Sequence, residues 1–387
     1  MKKLAIITSH PIQYNAPMFR LLAQRGRIHV RVFYTWGQTK EGEVYDPDFQ
    51  KAFRWDIPLL DGYEHEFIHN LSENPGAGHF RGIINRDLIP RIDAFQPDAL
   101  LVFGWSFHSH LKAIRHYSGH LPILFRGDSN LLDEQPGFTL RKGLRRIFLR
   151  WLYRHVDTAL YTGAANRAYY KKAGMADKQL VFAPHAVDNT RFTDPDGQLQ
   201  QQADAWRSEL GIPPGALVFL FAGKLEPKKD PLLLLDAFLG LTDSKAWLVI
   251  AGNGVLEEQL KAKAAGHPRI LFTGFRNQRE MPVLYRVADV FVLPSRGPGE
   301  TWGLSVNEAM ASGRAVIVSD RCGCAADLVH KNGFIISAGN KSELFMALNY
   351  FFQNPQAARE MGVQGLQVVA SCDIPVVASV VETVVCN

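Results

Sequence analysis

Residues 295–313 read Ser-Arg-Gly-Pro-Gly-Glu-Thr-Trp-Gly-Leu-Ser-Val-Asn-Glu-Ala-Met-Ala-Ser-Gly. Glu300 lies in a stretch too rich in glycine and proline for regular structure, while Glu308 lies in a helical pattern that Gly313 closes. Thr301, Trp302, Gly303, Leu304 and Ser305 fall at the helix start. Backbone N–H groups without intrahelical partners and the positive end of the dipole favour phosphate there. Glu308 can accept hydrogen bonds from two hydroxyls, as acidic residues do for ribose, and Glu300 sits where a sugar on the second phosphate would hang. The chemistry that needs this spacing is the binding of a nucleoside diphosphate carrying a sugar.

A second candidate is Phe221-Ala-Gly-Lys-Leu-Glu-Pro-Lys-Lys-Asp230. Gly223 lets backbone approach an anion, and Lys224, Lys228 and Lys229 supply charge for phosphates; taken alone, the segment reads as a solvated loop. Gly252-Asn253-Gly254 imitates part of a dinucleotide fingerprint, but Glu257 occupies the third glycine position and the first strand runs into Ser9-His10, so a nicotinamide site is not expected. The Asp-x-Asp pairs in YDPDF (45–49) and TDPDG (193–197) read as Asp-Pro turns. His108 and His110 lack the spacing of a helix-face metal pair, and no metal site is expected.

These residues need strands to hold them. Short apolar runs alternate with helix-length segments in two series, LAIIT (4–8) to QLVFAP (179–184) and LVFLFAG (217–223) to GFIIS (333–337), the pattern of parallel sheets wrapped by helices. The expected fold is α/β: two doubly wound, Rossmann-like domains facing a cleft, with ligands outside the carboxyl ends of the strands. The polar stretch from Val187 places the boundary near residue 195. The expected divisions are 1–195, 196–365 and a C-terminal helix over 366–387.

The chain of 387 residues is 47% hydrophobic and 21% charged, enough apolar surface for two cores. Its 43 basic and 38 acidic residues give a net charge of +5, too mild and dispersed for a nucleic-acid partner. Cys322, Cys324, Cys372 and Cys386 show no framework spacing, are read as structural, and suit a reducing cytoplasmic compartment. The apolar run of the N-terminus ends at Ser9-His10-Pro11, too early for a signal peptide. No stretch reaches the length of a membrane span.

Taken together, ETWGLSVNE (300–308), GKLEPKKD (223–230), PHAVDNTRF (184–192) and TGFRNQREMPVLYRVADVFVLPS (273–295) resemble retaining glycosyltransferases of family 4, the group 1 type with the GT-B fold. The resemblance covers most of 180–340, and the first half matches only in strand rhythm; it implies that domain 1–195 takes the acceptor, that domain 196–365 binds the nucleotide sugar, and that the helix over 366–387 crosses back to the first domain. It implies that Lys224 and Lys229 stand where the family holds the donor diphosphate with arginine and lysine, that Glu300 contacts the donor sugar, and that Glu308 binds the ribose. Gly274, Phe275 and Arg276 correspond to the base-contacting turn. Lysine at 224 keeps the charge and loses the bidentate fork, and Asp230 replaces a usual glycine. Where many members have a glycine-rich loop after the first strand, this chain has SHPIQYNAP (9–17); where many place a histidine, it has Arg126.

On the acceptor side, His10, Gln13, Tyr14 and Asp128 are the candidates, with Arg126 beside the catalytic group of Glu300, Lys224 and Lys229. Segment 140–157 is amphipathic, with Leu144, Ile147, Phe148, Trp151 and Leu152 on one face among arginines. A helix covering the sheet is the preferred reading, and peripheral contact with an anionic bilayer the alternative. The expected activity is metal-independent, cofactor-free transfer of a sugar from a nucleotide-diphosphate donor to a glycan or glycolipid. It would take place in the cytoplasm or on the inner membrane face. A nucleotide-sugar epimerase and a non-catalytic sugar-nucleotide-binding protein are the alternatives.

Overall fold

Strands buried on both faces need unbroken runs of Val, Ile, Leu and Phe, and each apolar run named above at the ends of the two series becomes a strand. The computed structural model describes residues 1–37, 44–46, 51–134, 137, 139–241 and 245–387. In chain order the first elements are β1 (Lys2–Thr8), α1 (Ala16–Arg25), β2 (Ile28–Tyr34), β3 (Val44–Asp46), β4 (Lys51–Phe53), β5 (Glu64–Phe67), α2 (Leu88–Phe95) and β6 (Ala99–Phe103). Then come α3 (His108–Tyr117), β7 (Ile123–Arg126), α4 (Leu140–Tyr153), β8 (Thr158–Tyr161), α5 (Ala164–Lys172), β9 (Leu180–Phe182), α6 (Gln198–Glu209) and β10 (Val218–Ala222). They are followed by α7 (Pro231–Phe238), β11 (Trp247–Ala251), α8 (Glu257–Ala264), β12 (Ile270–Gly274), α9 (Met281–Val287), β13 (Val290–Leu293) and α10 (Leu304–Ala311). The last are β14 (Ala315–Ser319), α11 (Ala325–Leu328), β15 (Gly333–Ile336), α12 (Lys341–Gln353), α13 (Pro355–Val369) and α14 (Ile374–Cys386).

The chain divides into two compact units: residues 1–44, 58–185 and 374–387 in the first, residues 45–57 and 186–373 in the second. It thus passes to the second unit after His185 and returns at Ile374, where the sequence reading places these points near 195 and 366.

Unit 1 is a seven-stranded parallel sheet in the order β5-β2-β1-β6-β7-β8-β9. Leu4 to Ile7 of β1 are fully buried, with Leu4 opposite Val30 on one side and Ala99 on the other. The order reverses between β1 and β6. The edge strand β5 is polar, and its Glu64 pairs with Arg31 at 2.9 Å and His29 at 3.0 Å across the sheet face. Helix α14 packs on α1, where its buried Glu382 meets Arg25 at 3.2 Å.

Unit 2 is a six-stranded parallel sheet in the order β12-β11-β10-β13-β14-β15. Its order reverses between β10 and β13, which puts the loops that follow these two strands on either side of the switch point, the place where such sheets bind ligands. Asp194 of TDPDG accepts the backbone N–H groups of Leu199 at 3.0 Å and Gln200 at 2.8 Å, so its carboxylate closes the turn into α6. Asp48 of YDPDF lies outside the described residues. No helix among the described residues is long and apolar enough to cross a membrane.

Candidate functional site

The loop after β10 and the loop after β13 are tied together at three levels. The Arg296 N–H donates to the Lys228 carbonyl at 2.9 Å, Arg296 Nε donates to Asp230 Oδ2 at 2.9 Å, and Lys229 Nζ meets Glu300 Oε2 at 2.5 Å. Glu300 is 7% exposed, and a carboxylate so buried needs its charge met. Besides Lys229 it takes the Ser295 hydroxyl at 2.9 Å, and the Ser295 carbonyl in turn accepts the Ser319 hydroxyl. Asp230 adopts φ +51°, left-handed backbone that glycine enters freely and aspartate tolerates. Its side chain offsets that cost through Arg296.

The Cys322-Gly323-Cys324 turn braces the other side of the Glu300 loop. Gly323 N–H donates to the Glu300 carbonyl at 3.3 Å and Cys324 N–H to the Trp302 carbonyl at 3.0 Å. A Cβ on Gly323 would lie 1.7 Å from the Thr301 oxygen, so only glycine fits. Burial pushes the Cys322 thiol up to about 11 and Cys324 well above its usual value; both are free, protonated and structural.

Helix α10 starts at Leu304 behind Gly303, leaving the N–H groups of Leu304 and Ser305 in its first turn. Trp302 is buried and its indole N–H donates to Asn307 Oδ1 at 2.8 Å. What Trp302 can offer a ligand is backbone, since its ring is packed inward. Glu308 is 2% exposed, and its Oε2 accepts the Tyr285 hydroxyl at 2.7 Å.

Gly223 follows β10 and donates its N–H to the Ala251 carbonyl at 3.0 Å; Lys224, half-buried, comes next. The Gly252-Asn253-Gly254 turn after β11 lies directly against this loop: Leu225 N–H donates to the Asn253 carbonyl at 2.9 Å. A Cβ on Gly252 would fall 1.9 Å from the Gly223 oxygen. These glycines serve loop packing, which explains a glycine pair without the rest of a dinucleotide fingerprint. Phe275 and Arg276 follow β12. The Arg276 guanidinium lies 4.8 Å over the Trp206 ring and pairs with Glu280 at 2.9 Å. Asn253 Oδ1, Thr273 Oγ1 and Arg276 Nε are buried and have no hydrogen-bond partner among the described residues, the condition of polar atoms that a ligand would complete.

In unit 1, His10 follows β1 at the switch point. Its Nδ1 is 2.9 Å from Ser9 Oγ, its ring meets Trp36 edge-on at 5.4 Å, and burial lowers its pKa. Gln13 and Tyr14 are half-buried in the turn before α1. Arg126, at the end of β7, is buried and donates from both terminal nitrogens to the carbonyls of Ala183 and Pro184, each at 2.8 Å. Burial brings its pKa to about 10, with Tyr170 and Asp128 opposing. Arg126 and Asp128 act on His185 in opposite directions, after burial, which dominates and takes it to about 4. His110 bonds Thr35 Oγ1 at 2.9 Å inside the core, where burial lowers it to about 4; it is a structural residue.

The structure therefore joins Lys229 to Glu300, gathers Arg126 with the 183–185 segment, and leaves Arg276 paired with Glu280. Sequence reading missed Ser295, Tyr285, Arg296 and Gly323 as supports of the carboxylates. Ser295 carried a signal, since it ends the β13 run beside the glycine-rich loop; Tyr285 looked like any core residue of a helix.

Residues 202–368 match the model of the family described as Glycosyl transferases group 1. A D-inositol 3-phosphate glycosyltransferase of Streptomyces bingchenggensis is 30% identical over 203 residues, 48% of this chain and 43% of the relative. A GDP-mannose-dependent alpha-(1-6)-phosphatidylinositol dimannoside mannosyltransferase of Mycobacterium tuberculosis is 33% identical over 166 residues, 42% of this chain and 41% of the relative. The chain thus spans less than half the length of these two curated relatives. The crystal structure of Anabaena HepE in complex with UDP and glucose superposes with TM-score 0.71 over 100% of both chains at 18% identity. This likeness shows the fold: two parallel-sheet α/β domains of the GT-B class.

Proposed function

We propose that the chain is a retaining glycosyltransferase of family 4. It moves a sugar from a nucleotide-diphosphate donor to a hydroxyl of a glycan or lipid-linked saccharide in the building of a cell-surface polysaccharide. The observation that carries this reading is the pairing of Lys229 with the buried Glu300 across the switch point of unit 2, within the segment that matches the group 1 family model. A UDP-sugar is the favoured donor and a GDP-sugar the alternative. Relatives of both kinds exist, HepE with UDP and the mycobacterial enzyme with GDP-mannose.

In this reading Glu308 binds the ribose, the α10 N-terminus and Lys224 hold the diphosphate, and Glu300 meets the transferred sugar. The three buried polar atoms near the ends of β11 and β12 that have no hydrogen-bond partner among the described residues would meet the base. As the bond from the anomeric carbon to the phosphate oxygen breaks, Lys224, Lys229 and the helix dipole stabilise the charge on the departing diphosphate. The acceptor hydroxyl attacks the same face, a new carbon–oxygen bond forms, and its proton passes to a phosphate oxygen of the leaving group. Those cationic groups supply what a divalent ion would, so turnover should survive EDTA. His10, Gln13, Tyr14 and Asp128 line the acceptor side in unit 1, where Arg126 orders the 183–185 segment. The free cysteines and the nucleotide-sugar donor fit a cytoplasmic location.

The test is release of UDP or GDP from a panel of nucleotide sugars, with and without saccharide acceptors and EDTA. Acceptor-dependent release supports the proposal. Conversion of the donor sugar without acceptor would point to an epimerase, and binding without turnover to a non-catalytic protein.

A further inference from the structure

Between β2 and β5 the chain leaves unit 1: residues 45–57 belong to unit 2, and the chain returns at Pro58. Strands β3 and β4 pair with each other and, among the described residues, join neither large sheet. The strap that follows β4, residues 54–57, is therefore not held by a ladder, and its place must come from other bonds. Two such bonds reach one turn of unit 2, 223 residues further along the chain. Asn277 Nδ2 donates to the Arg54 carbonyl at 2.7 Å, and the Arg279 N–H donates to the two Asp56 oxygens at 3.2 and 3.1 Å. Trp55, Asp56 and Ile57 are half-buried.

That turn, residues 275–280, follows β12. Gly274 bends the chain into it with φ +69°. Glu280 closes it by accepting Arg276 Nη1 at 2.9 Å and the Asn277 N–H at 3.2 Å. Asn277 uses both ends of its amide: Oδ1 accepts the Gln278 N–H at 2.8 Å, while Nδ2 holds the strap. Thr273 Oγ1 and Arg276 Nε, buried and with no hydrogen-bond partner among the described residues, lie at the start of the same turn. A short surface loop left to itself samples several conformations. Bonds from a separate segment remove that freedom beforehand, so a ligand that meets Thr273 and Arg276 does not bear the cost of ordering them.

We propose that residues 54–57 are a positioning element of the nucleobase site of unit 2. The Arg54 carbonyl and the Asp56 carboxylate hold the 275–280 turn in the arrangement that recognises the base, so part of the base selectivity is set by a segment from early in the chain. The inference rests on the proposed function, which puts the base at this turn. Arg54 and Asp56 do not touch the base; they act through Asn277 and Arg279, which come directly after Arg276. A passive tether could be fixed anywhere on unit 2, whereas this one is fixed at two points of the one turn that carries the unpartnered Arg276 Nε.

The experiment is calorimetric titration of the full chain with UDP, GDP and ADP, in the wild type and in D56A, D56N and N277D. N277D keeps the oxygen that accepts the Gln278 N–H and removes the donor to Arg54. D56A and N277D should each bind the nucleotide that the wild type prefers roughly fivefold more weakly, the worth of one ordinary hydrogen bond. The two less preferred nucleotides share the ribose and diphosphate and should keep their affinity, so the selectivity narrows. D56N still offers an oxygen to the Arg279 N–H and should recover most of the loss. D56A/N277D should lose less than the product of the two single losses, because both cut the same tether. An equal loss for all three nucleotides would show a general loosening of unit 2 and overturn the proposal. Wild-type affinity in D56A and N277D, beside a wild-type chain that prefers one nucleotide, would overturn this inference alone. A wild-type chain that binds none of the three would remove it together with the reading it rests on.

Discussion

Replacing Lys229 by methionine keeps the length of the side chain and removes the charge that Glu300 faces at 2.5 Å. Glu300 is 7% exposed and Lys229 16%, so the carboxylate cannot exchange its partner for water. Breaking a buried pair from one side leaves an uncompensated charge and costs about 3–5 kcal/mol. Ser295 remains as a donor, which puts the expected loss toward the lower end of that range. Glu300→Gln should cost less, about 1–3 kcal/mol, because Lys229 has some access to solvent and an amide oxygen can still accept the Ser295 hydroxyl. The double variant should be less destabilised than the sum of the two, with a coupling of at least about 1 kcal/mol. Differential scanning calorimetry without ligand reads this as a fall of roughly 6–20 °C for Lys229→Met in the transition of unit 2. A loss below about 0.5 kcal/mol for Lys229→Met, additive with Glu300→Gln, would show that the pair is not formed in solution and would refute the reasoning.

Four further outcomes follow from the same geometry. Glu308→Ala should weaken donor binding with little change in the rate of bound donor, whereas Glu300→Ala should lower turnover more than binding; calorimetry and steady-state kinetics separate the two, and equal small effects would undo the assignment. Gly323→Ala should cost about 2–4 kcal/mol and abolish donor binding, because the new Cβ meets the Thr301 carbonyl; a wild-type melting curve would contradict it. Asp230→Gly relieves a left-handed backbone while losing the half-exposed Arg296 partner, so stability should change by less than about 1 kcal/mol in a denaturant titration. His110, held neutral with a pKa of about 4 against the usual 6.5, contributes fully above pH 6.5. Its contribution is lost as pH falls toward 4, by up to about 1.4 kcal/mol per unit. The gap between wild type and His110→Gln should therefore narrow on acidification, and a constant gap would reject the buried neutral histidine.

The two sheets were legible because strands buried on both faces leave continuous apolar runs. Strand β5 was not, since Glu-His-Glu-Phe at a sheet edge has no apolar run and is held by Arg31 and His29 across the sheet face. The assignment of residues 45–57 to the second unit is equally invisible, because nothing local to that segment records a contact made some two hundred residues away: Asn277 donates to the Arg54 carbonyl and Arg279 to Asp56. At the candidate site, Glu300, Lys224 and Lys229 could be singled out by type as loop residues after strands, and Glu308 as a carboxylate in the helix that follows; their roles toward a ligand are the proposal made above. The supports of these residues could not be singled out. Tyr285 occupies an ordinary core position of α9, and that it holds Glu308 depends on tertiary placement. The Cys-Gly-Cys turn was read correctly as structural, but its task, bracing the Glu300 loop through two backbone N–H groups, depends on a close approach that spacing does not encode.

The central claim is that unit 2 binds a nucleotide-diphosphate sugar through Glu308 and the Lys224–Lys229 loop. It is tested most directly by titrating the wild-type chain and Glu308→Gln with UDP, GDP, ADP and their common sugar conjugates in a calorimeter, with EDTA present. The account predicts a clear preference for one nucleotide in the wild-type chain, undiminished by EDTA, and at least about tenfold weaker binding in Glu308→Gln. Binding of no nucleotide, or equal affinity in the two proteins, would contradict it.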